Sequence, residues 1–226
     1  MTLSLKMPQL ICYDWDNTIL YTNLSTYTSL IELCENYNIP KNDLPTMAEI
    51  NSQQFFEKWL IAFFAQYTDV NVWTEYLNLY KQFANKMYLI EGIADKLKKF
   101  HELNIPQIII SNKPPHIGEP EVIKLGLSEY FTEVYFQGGL ELSKPNKHVF
   151  TFVLDDYNKK HPDAQINSTD NIWFFGDSQV DCEFAKNIDA TLFLIQTEGY
   201  NTNHRTSYDK TFLLQTYSEL DKILPF

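Results

Sequence analysis

The sequence has only three cysteines, few basic residues and no long apolar run. Cys12, Cys34 and Cys182 form no CxxC pair and no metal-ligand spacing, so we expect reduced structural thiols rather than a disulfide framework or a zinc site. Lys and Arg number 18 against 29 Asp and Glu, a formal charge of −11. This balance opposes non-specific nucleic-acid binding, which depends on basic side chains.

Membrane and export signals are also missing. No stretch approaches the roughly 20 consecutive apolar residues of a membrane span. Residues 1–8 lack a basic region followed by an apolar one. We therefore expect a cytoplasmic protein without a membrane partner, present as a monomer or a homodimer.

The composition is that of a globular protein. The 226 residues are 44% hydrophobic and 21% charged, which suits one domain or one domain with a sizeable insertion. Short apolar runs alternate with helical patterns, which predicts an α/β fold with a Rossmann-like parallel sheet in three α/β/α layers. The predicted strands are Gln9 to Tyr13, Gln107 to Ile110, Glu133 to Phe136, Ile172 to Phe175 and Thr191 to Ile195. The predicted helices are Ile93 to Leu103, Glu119 to Leu127, Asn146 to Tyr157 and Gln179 to Asn187.

One segment, residues 23–88, breaks this alternation. It is rich in aromatic side chains at helical spacing, for example Phe56, Trp59 and Phe63, and has no convincing strand. We interpret it as an all-helical insertion, with a loop between helices at Asn38 to Pro45. The predicted domains are thus an α/β core of residues 1–22 and 89–226 and a helical domain of residues 23–88.

The first predicted strand ends in two carboxylates one residue apart, Asp14 and Asp16. In an extended strand alternate side chains share a face, so these two would point the same way. Like charges this close need a cation or a shared proton, and both solutions indicate chemistry. The structural alternative is a turn or helix cap, where Asp is also common.

Other polar residues follow other strands. Ser111 follows the second main apolar run, and Asp177 follows a third in Gly176-Asp177-Ser178-Gln179-Val180-Asp181. Ligands of open α/β sheets bind at the carboxyl ends of the strands, so these side chains can converge on one pocket. Lys144, in Ser143-Lys144-Pro145, lies between them in sequence, although Lys147 and Lys113 are nearby alternatives.

The ordered set Asp14-Trp15-Asp16-Asn17-Thr18, Ser111, Lys144 and Gly176 to Asp181 resembles the haloacid dehalogenase-like hydrolase superfamily. Ser111-Asn112-Lys113-Pro114, the Gly138-Gly139 pair and the helical insertion resemble its phosphoglycolate-phosphatase branch. The resemblance implies that the insertion is a cap domain. Two departures, Asn146-Lys147 after Lys144-Pro145 and Asn187-Ile188-Asp189 after the last helix, remove no catalytic group.

Two roles follow from chemistry as well as from the resemblance. A carboxylate such as Asp14 can attack phosphorus and form an aspartyl-phosphate. Asp16 is placed to protonate the leaving group and later to deprotonate water. By resemblance, Asp16 also argues against carbon–halogen cleavage.

The remaining roles concern charge and phosphoryl binding. Mg²⁺ fits this charge because it prefers oxygen ligands, and Asp14 and Asp177 would supply two of them. By resemblance, the backbone carbonyl of Asp16 would be a third ligand. Asp181 would bind the metal through water or orient its neighbours. Lys144 would balance the charge at Asp14. Ser111 and the Asn112 amide would hold phosphoryl oxygens of the substrate. Thr18 would brace the loop that carries Asp14.

These residues predict a Mg²⁺-dependent phosphatase acting on a small phosphorylated metabolite. A phosphotransferase or phosphomutase would use the same nucleophile, and a binding or regulatory module could keep the fold without turnover. Asp181 could be no more than a helix cap. None of the five histidines shows a ligand spacing, and His116 and Lys113, after Ser111, are the further side chains to examine.

Overall fold

The computed structural model describes residues 5–51, 53, 56–137, 142–166, 171–196 and 207–224. The side chains of residues 48 and 51 are outside this description. The chain divides into two compact units, residues 1–19 with 89–226, and residues 20–88. Within the described residues, none of the helices has the length and apolar character needed to cross a membrane.

The first unit contains a six-stranded parallel sheet, which confirms the predicted fold class. Its strands are β1 (Leu10–Tyr13), β4 (Gln107–Ser111), β5 (Glu133–Phe136), β6 (Ile172–Gly176), β7 (Thr191–Ile195) and β8 (Thr211–Leu214). Their spatial order is β5-β4-β1-β6-β7-β8. Strand β1 therefore lies at the centre, with Tyr13 paired to Ile109 on one side and to Phe175 on the other.

Helices flank this sheet. They are α5 (Ile93–Glu102), α6 (Pro115–Lys124), α7 (His148–Lys160) and α8 (Gln179–Asn187), with 3-10 turns at Ser128–Tyr130, Pro162–Ala164 and Tyr217–Lys222. Alternate side chains of β1 enter different cores, as a strand requires. Leu10 and Cys12 belong to a core that includes α7 and α8 residues. Tyr13 stacks on Phe175, which in turn stacks on Tyr217.

The second unit is mainly helical. It contains α1 (Asn23–Asn36), α2 (Met47–Asn51), α3 (Phe56–Phe64) and α4 (Trp73–Gln82), and 3-10 turns at Lys41–Asp43 and Ala84–Lys86. Two short strands, β2 (Leu20–Tyr21) and β3 (Tyr88–Leu89), pair with each other. Aromatic side chains fill its interior, for instance Phe64, which contacts Tyr37 edge to face. The aromatic pattern at helical spacing thus corresponds to helix packing.

Two details differ from the sequence expectation. Helix α6 begins at Pro115, before the predicted start at Glu119, because proline is well tolerated in the first helical turn. Strand β8 was not predicted, and its first three residues, two partly buried and one exposed, suit a sheet edge.

Candidate active site

Asp14 lies immediately beyond β1, at the carboxyl end of the sheet. Its backbone N–H donates to the Phe175 carbonyl at 2.8 Å, which extends the pairing of β1 with β6 by one residue. The chain then turns: the Ile19 N–H donates to the Trp15 carbonyl at 3.0 Å, and Asn17 adopts a left-handed φ of 55°. Asparagine tolerates that conformation better than most residues. Asp14 and Asp16 contact different lysines, Lys144 and Lys113.

Lys144 is a buried cation between two carboxylates. Its Nζ lies 2.8 Å from Asp14 Oδ1 and 2.6 Å from Asp181 Oδ1, and its side chain is 2% exposed. Nζ also lies 5.2 Å from the centre of the Phe174 ring, a cation–π distance. The structure thus brings together Asp14, Lys144 and Asp181 from three separate segments of the chain.

Asn112 contacts the backbone of Lys144 through both ends of its side-chain amide. Its Nδ2 donates to the Lys144 carbonyl at 3.0 Å, and its Oδ1 accepts from the Lys144 N–H at 2.9 Å. The Asn112 side chain therefore positions Lys144, a role that the sequence did not indicate. Ser111 ends β4, is 3% exposed, and its Oγ accepts from the Lys113 N–H at 3.3 Å.

Asp181 belongs to the first turn of α8 and forms a capping box with Ser178. Its Oδ2 accepts from the Asp177 N–H at 3.2 Å, and from the Ser178 N–H and Oγ at 3.1 and 2.7 Å. Because Oδ1 contacts Lys144, both carboxylate oxygens are engaged. A Cβ on Gly176 would lie 2.4 Å from Asp181 Cβ, so only glycine fits there. This arrangement favours an orienting role for Asp181.

Asp177 completes a group of carboxylates. Oxygens of Asp14, Asp177 and Asp181 all lie within 4.8 Å of one another, and all three residues are buried. Thr18 Oγ1 lies 3.5 Å from Asp177 Oδ1, at the limit of a hydrogen bond, so Thr18 braces this carboxylate. When all three carboxylates are ionised, the single ammonium of Lys144 leaves two negative charges within the group. The donor set fits a hard divalent cation such as Mg²⁺, which prefers oxygen ligands.

Burial sets the electrostatics of this group. Burial raises the pKa of Asp14 to about 6, although the Lys144 ammonium acts in the opposite direction. Burial and then the charges of Asp181 and Asp14 raise the pKa of Asp177 well above its ordinary value. Burial lowers the pKa of Lys144, but the two neighbouring carboxylates outweigh it and the pKa is raised overall. The ammonium form of Lys144 is therefore firmly held.

Asp16 contacts a second lysine instead. Lys113 Nζ lies 2.7 Å from Asp16 Oδ1 and 2.8 Å from Glu121 Oε2. Trp15 Nε1 donates to the same Glu121 oxygen at 2.7 Å. Burial is the main reason that the pKa of Glu121 is raised, against the opposing charge of Lys113. The sequence marked Lys113 as an alternative to Lys144 and as a residue to examine, and it did not mark Glu121, because no spacing signal connects α6 with the paired aspartates.

The remaining sequence-predicted features are placed as follows. Gly138-Gly139 lies outside the described residues. His116 is exposed in the first turn of α6 and does not belong to the buried carboxylate group. The nearest alternatives to Lys144 differ from it: Lys113 contacts Asp16, whereas Lys147 is exposed at the start of α7.

A family model of haloacid dehalogenase-like hydrolases matches residues 11–195 of the chain. Among curated proteins, a phosphoglycolate phosphatase of Rhodobacter capsulatus is 25% identical over 129 residues, 57% of this chain and 54% of the relative. Another, from Photobacterium profundum, is 32% identical over 119 residues, 50% of this chain and 46% of the relative. The matches thus span about half the length of these relatives.

Solved structures share the fold. A predicted phosphoglycolate phosphatase from Haemophilus somnus superposes with a TM-score of 0.75 at 16% identity, covering 97% of this chain and 99% of the other. The magnesium-bound HAD-hydrolase YfnB from Bacillus subtilis gives a TM-score of 0.72 at 19% identity, with 97% and 99% covered. At these identities the likeness concerns the fold alone.

Proposed function

Because the chain belongs to the haloacid dehalogenase-like hydrolase family, we propose that it is a Mg²⁺-dependent phosphatase. In this proposal it hydrolyses a small phosphomonoester through an aspartyl-phosphate on Asp14. The observation that carries the proposal is the position of Asp14: buried at the end of the central strand, paired with Lys144 at 2.8 Å, and grouped with Asp177 and Asp181. A scaffold gains nothing from burying three carboxylates against one lysine, since buried charges are costly unless compensated.

The first half-reaction transfers the phosphoryl group to the enzyme. An Asp14 oxygen attacks phosphorus, and the bond between phosphorus and the leaving oxygen breaks with its electron pair on that oxygen. Asp16 in its protonated form gives the leaving oxygen a proton. Lys144 stays beside Asp14 as an ammonium and offsets the charge of the phosphoryl oxygens.

The second half-reaction releases phosphate. Asp16, now a carboxylate, takes a proton from water as the water oxygen attacks phosphorus. The bond from phosphorus to Asp14 breaks, and its electron pair returns to the Asp14 carboxylate. Asp14 and Asp177, with the Asp16 carbonyl by family analogy, would hold Mg²⁺, and Asp181 would orient its neighbours. The ion supplies positive charge that stabilises the transferring group.

The substrate we propose is a small phosphorylated metabolite. Phosphoglycolate is the first candidate because both curated relatives are phosphoglycolate phosphatases. A panel of phosphoglycolate, sugar phosphates and nucleoside monophosphates, assayed with Mg²⁺, would rank the candidates. Release of inorganic phosphate into water, rather than transfer to a second hydroxyl, separates a phosphatase from a phosphotransferase or mutase.

The decisive test of the proposal uses p-nitrophenyl phosphate and the Asp14→Asn variant. We expect this variant to lose hydrolysis, and EDTA to abolish wild-type hydrolysis reversibly, with activity restored by added Mg²⁺. Asp155→Asn is the matched control, because Asp155 is an exposed carboxylate on α7. Turnover that survives in Asp14→Asn, with circular dichroism showing a folded protein, would remove the proposed mechanism.

A further inference from the structure

Asp16 is one end of a connected set of four side chains, here called the Lys113 network. Trp15 Nε1 donates to Glu121 Oε2 at 2.7 Å, the same Glu121 oxygen lies 2.8 Å from Lys113 Nζ, and Nζ lies 2.7 Å from Asp16 Oδ1. Its members come from the turn after β1, the loop after β4 and the middle of α6. A contact among three elements holds each side chain more firmly than a surface ion pair does.

The two ends of the Lys113 network differ in exposure. Trp15 is 0% exposed, and the side chains of Lys113, Glu121 and Asp16 are 5%, 15% and 33% exposed. The network is therefore anchored in the protein interior at Trp15 and open at Asp16. The open end is the carboxylate to which the proposed mechanism gives the proton transfers.

The second carboxylate, Glu121, fixes where the Lys113 ammonium lies. If Lys113 only neutralised Asp16, an exposed lysine would be sufficient, and exposed pairs hold little geometry. Here the lysine is buried, its ammonium contacts Glu121, and its backbone N–H donates to Ser111 Oγ at 3.3 Å. Nζ thus has a defined position, and its contact with Asp16 Oδ1 orients the Asp16 carboxylate.

We propose that Lys113 is a positioning residue for Asp16, held in place by Glu121 and Trp15. This inference rests on the proposed phosphatase function, because it concerns the acid that protonates the leaving group. Proton transfer needs the acid within about 2.6–3.2 Å of the leaving oxygen. A displacement of about 1 Å can cost roughly 100-fold in rate.

The test compares two substrates that differ in their need for a proton. Phenol has a pKa of about 10, so phenolate leaves poorly without protonation. In contrast, p-nitrophenolate is a far better leaving group. We expect Lys113→Met to lower kcat/KM for phenyl phosphate on the order of 10- to 100-fold. The loss for p-nitrophenyl phosphate should be several times smaller. A fold defect or weaker phosphate binding would lower both values equally.

Two further variants complete the design. The measured quantity is the ratio of kcat/KM for phenyl phosphate to kcat/KM for p-nitrophenyl phosphate. Glu121→Gln keeps the side-chain volume and should lower this ratio as Lys113→Met does, but by a smaller factor. It also serves if Lys113→Met does not fold. Lys124→Met is the matched control, since Lys124 is exposed on the same helix as Glu121, and its ratio should equal that of the wild type.

A double mutant shows whether Lys113 acts through Asp16. In an Asp16→Asn background, Lys113→Met should change the ratio no further, because the acid is already gone. An equal loss on both substrates, or an additive loss in the double mutant, overturns the positioning role. Persistent turnover in Asp14→Asn would instead overturn the phosphatase proposal, so the two failures are distinguishable.

Discussion

Replacing Lys144 by methionine should destabilise the protein strongly, because two buried carboxylates lose their partner. The ammonium lies 2.8 Å from Asp14 and 2.6 Å from Asp181, and its side chain is 2% exposed. At an effective dielectric constant of about 20, each contact corresponds to about 6 kcal/mol of attraction. Desolvation of the ions offsets much of this attraction, and breaking a buried pair by removing one partner typically costs about 3–5 kcal/mol.

The loss of unfolding free energy in Lys144→Met should be larger at higher pH. The pKa of Asp14 is already about 6 with Lys144 present, and loss of the ammonium raises it further. The folded variant therefore holds a proton that the unfolded chain releases, and its stability falls as pH rises through this range. We expect a loss of about 3–5 kcal/mol near pH 7.5 and a clearly smaller loss near pH 5.5.

Urea unfolding in EDTA, followed by circular dichroism at the two pH values, measures this difference. Lys147→Met is the control, because Lys147 is an exposed lysine close in sequence, and its stability should match that of the wild type within about 0.5 kcal/mol. A loss below about 1 kcal/mol at both pH values, or one independent of pH, would refute a buried charge pair at Lys144.

Other variants and conditions test neighbouring parts of the site. Gly176→Ala should lower the free energy of unfolding by about 1–3 kcal/mol in a urea titration, because its Cβ would lie 2.4 Å from Asp181 Cβ; unchanged stability would contradict that crowding. Ser178→Ala should cost about 1 kcal/mol in the same assay through loss of the α8 cap, and a wild-type value would show that the cap is unimportant. Without metal, the melting temperature should fall from about pH 5.5 to about pH 7.5, because Asp14 and Asp177 have raised pKa values and keep protons that the unfolded chain loses. Mg²⁺ should restore more stability at the higher pH, and Asp177→Asn should weaken both effects; a pH-independent melting temperature in EDTA would argue against this account.

The sequence was sufficient for five of the six strands of the sheet because their signals are local. Continuous apolar runs such as Ile172 to Phe175 occur where both faces of a strand are covered, and the carboxyl ends of those strands carry the polar residues. The edge strand β8 lacks such a run, since Thr211 and Phe212 are only partly buried and Leu213 is exposed. Its assignment depends on pairing with β7, which sequence alone does not display.

In the site, too, the sequence identified the residues but not the contacts that depend on the fold. The order of motifs indicated which residues to examine, including Asp14, Lys144 and Asp177. It did not indicate that the Asn112 amide contacts both backbone groups of Lys144, because that contact depends on the path of the loop. Extended alternation suggested a shared direction for Asp14 and Asp16, but it did not indicate that the two carboxylates contact different lysines, Lys144 and Lys113.

The most direct test of the central claim is to identify the phosphorylated residue. Asp16→Asn should still transfer a phosphoryl group to Asp14 but deprotonate water poorly, so the covalent intermediate should accumulate. We would incubate this variant with p-nitrophenyl phosphate and Mg²⁺, quench with acid, and locate the adduct by peptide mass spectrometry. The account predicts one phosphoryl group on Asp14, absent from the Asp14→Asn/Asp16→Asn double variant. Turnover without any adduct, or an adduct on another residue, would contradict it.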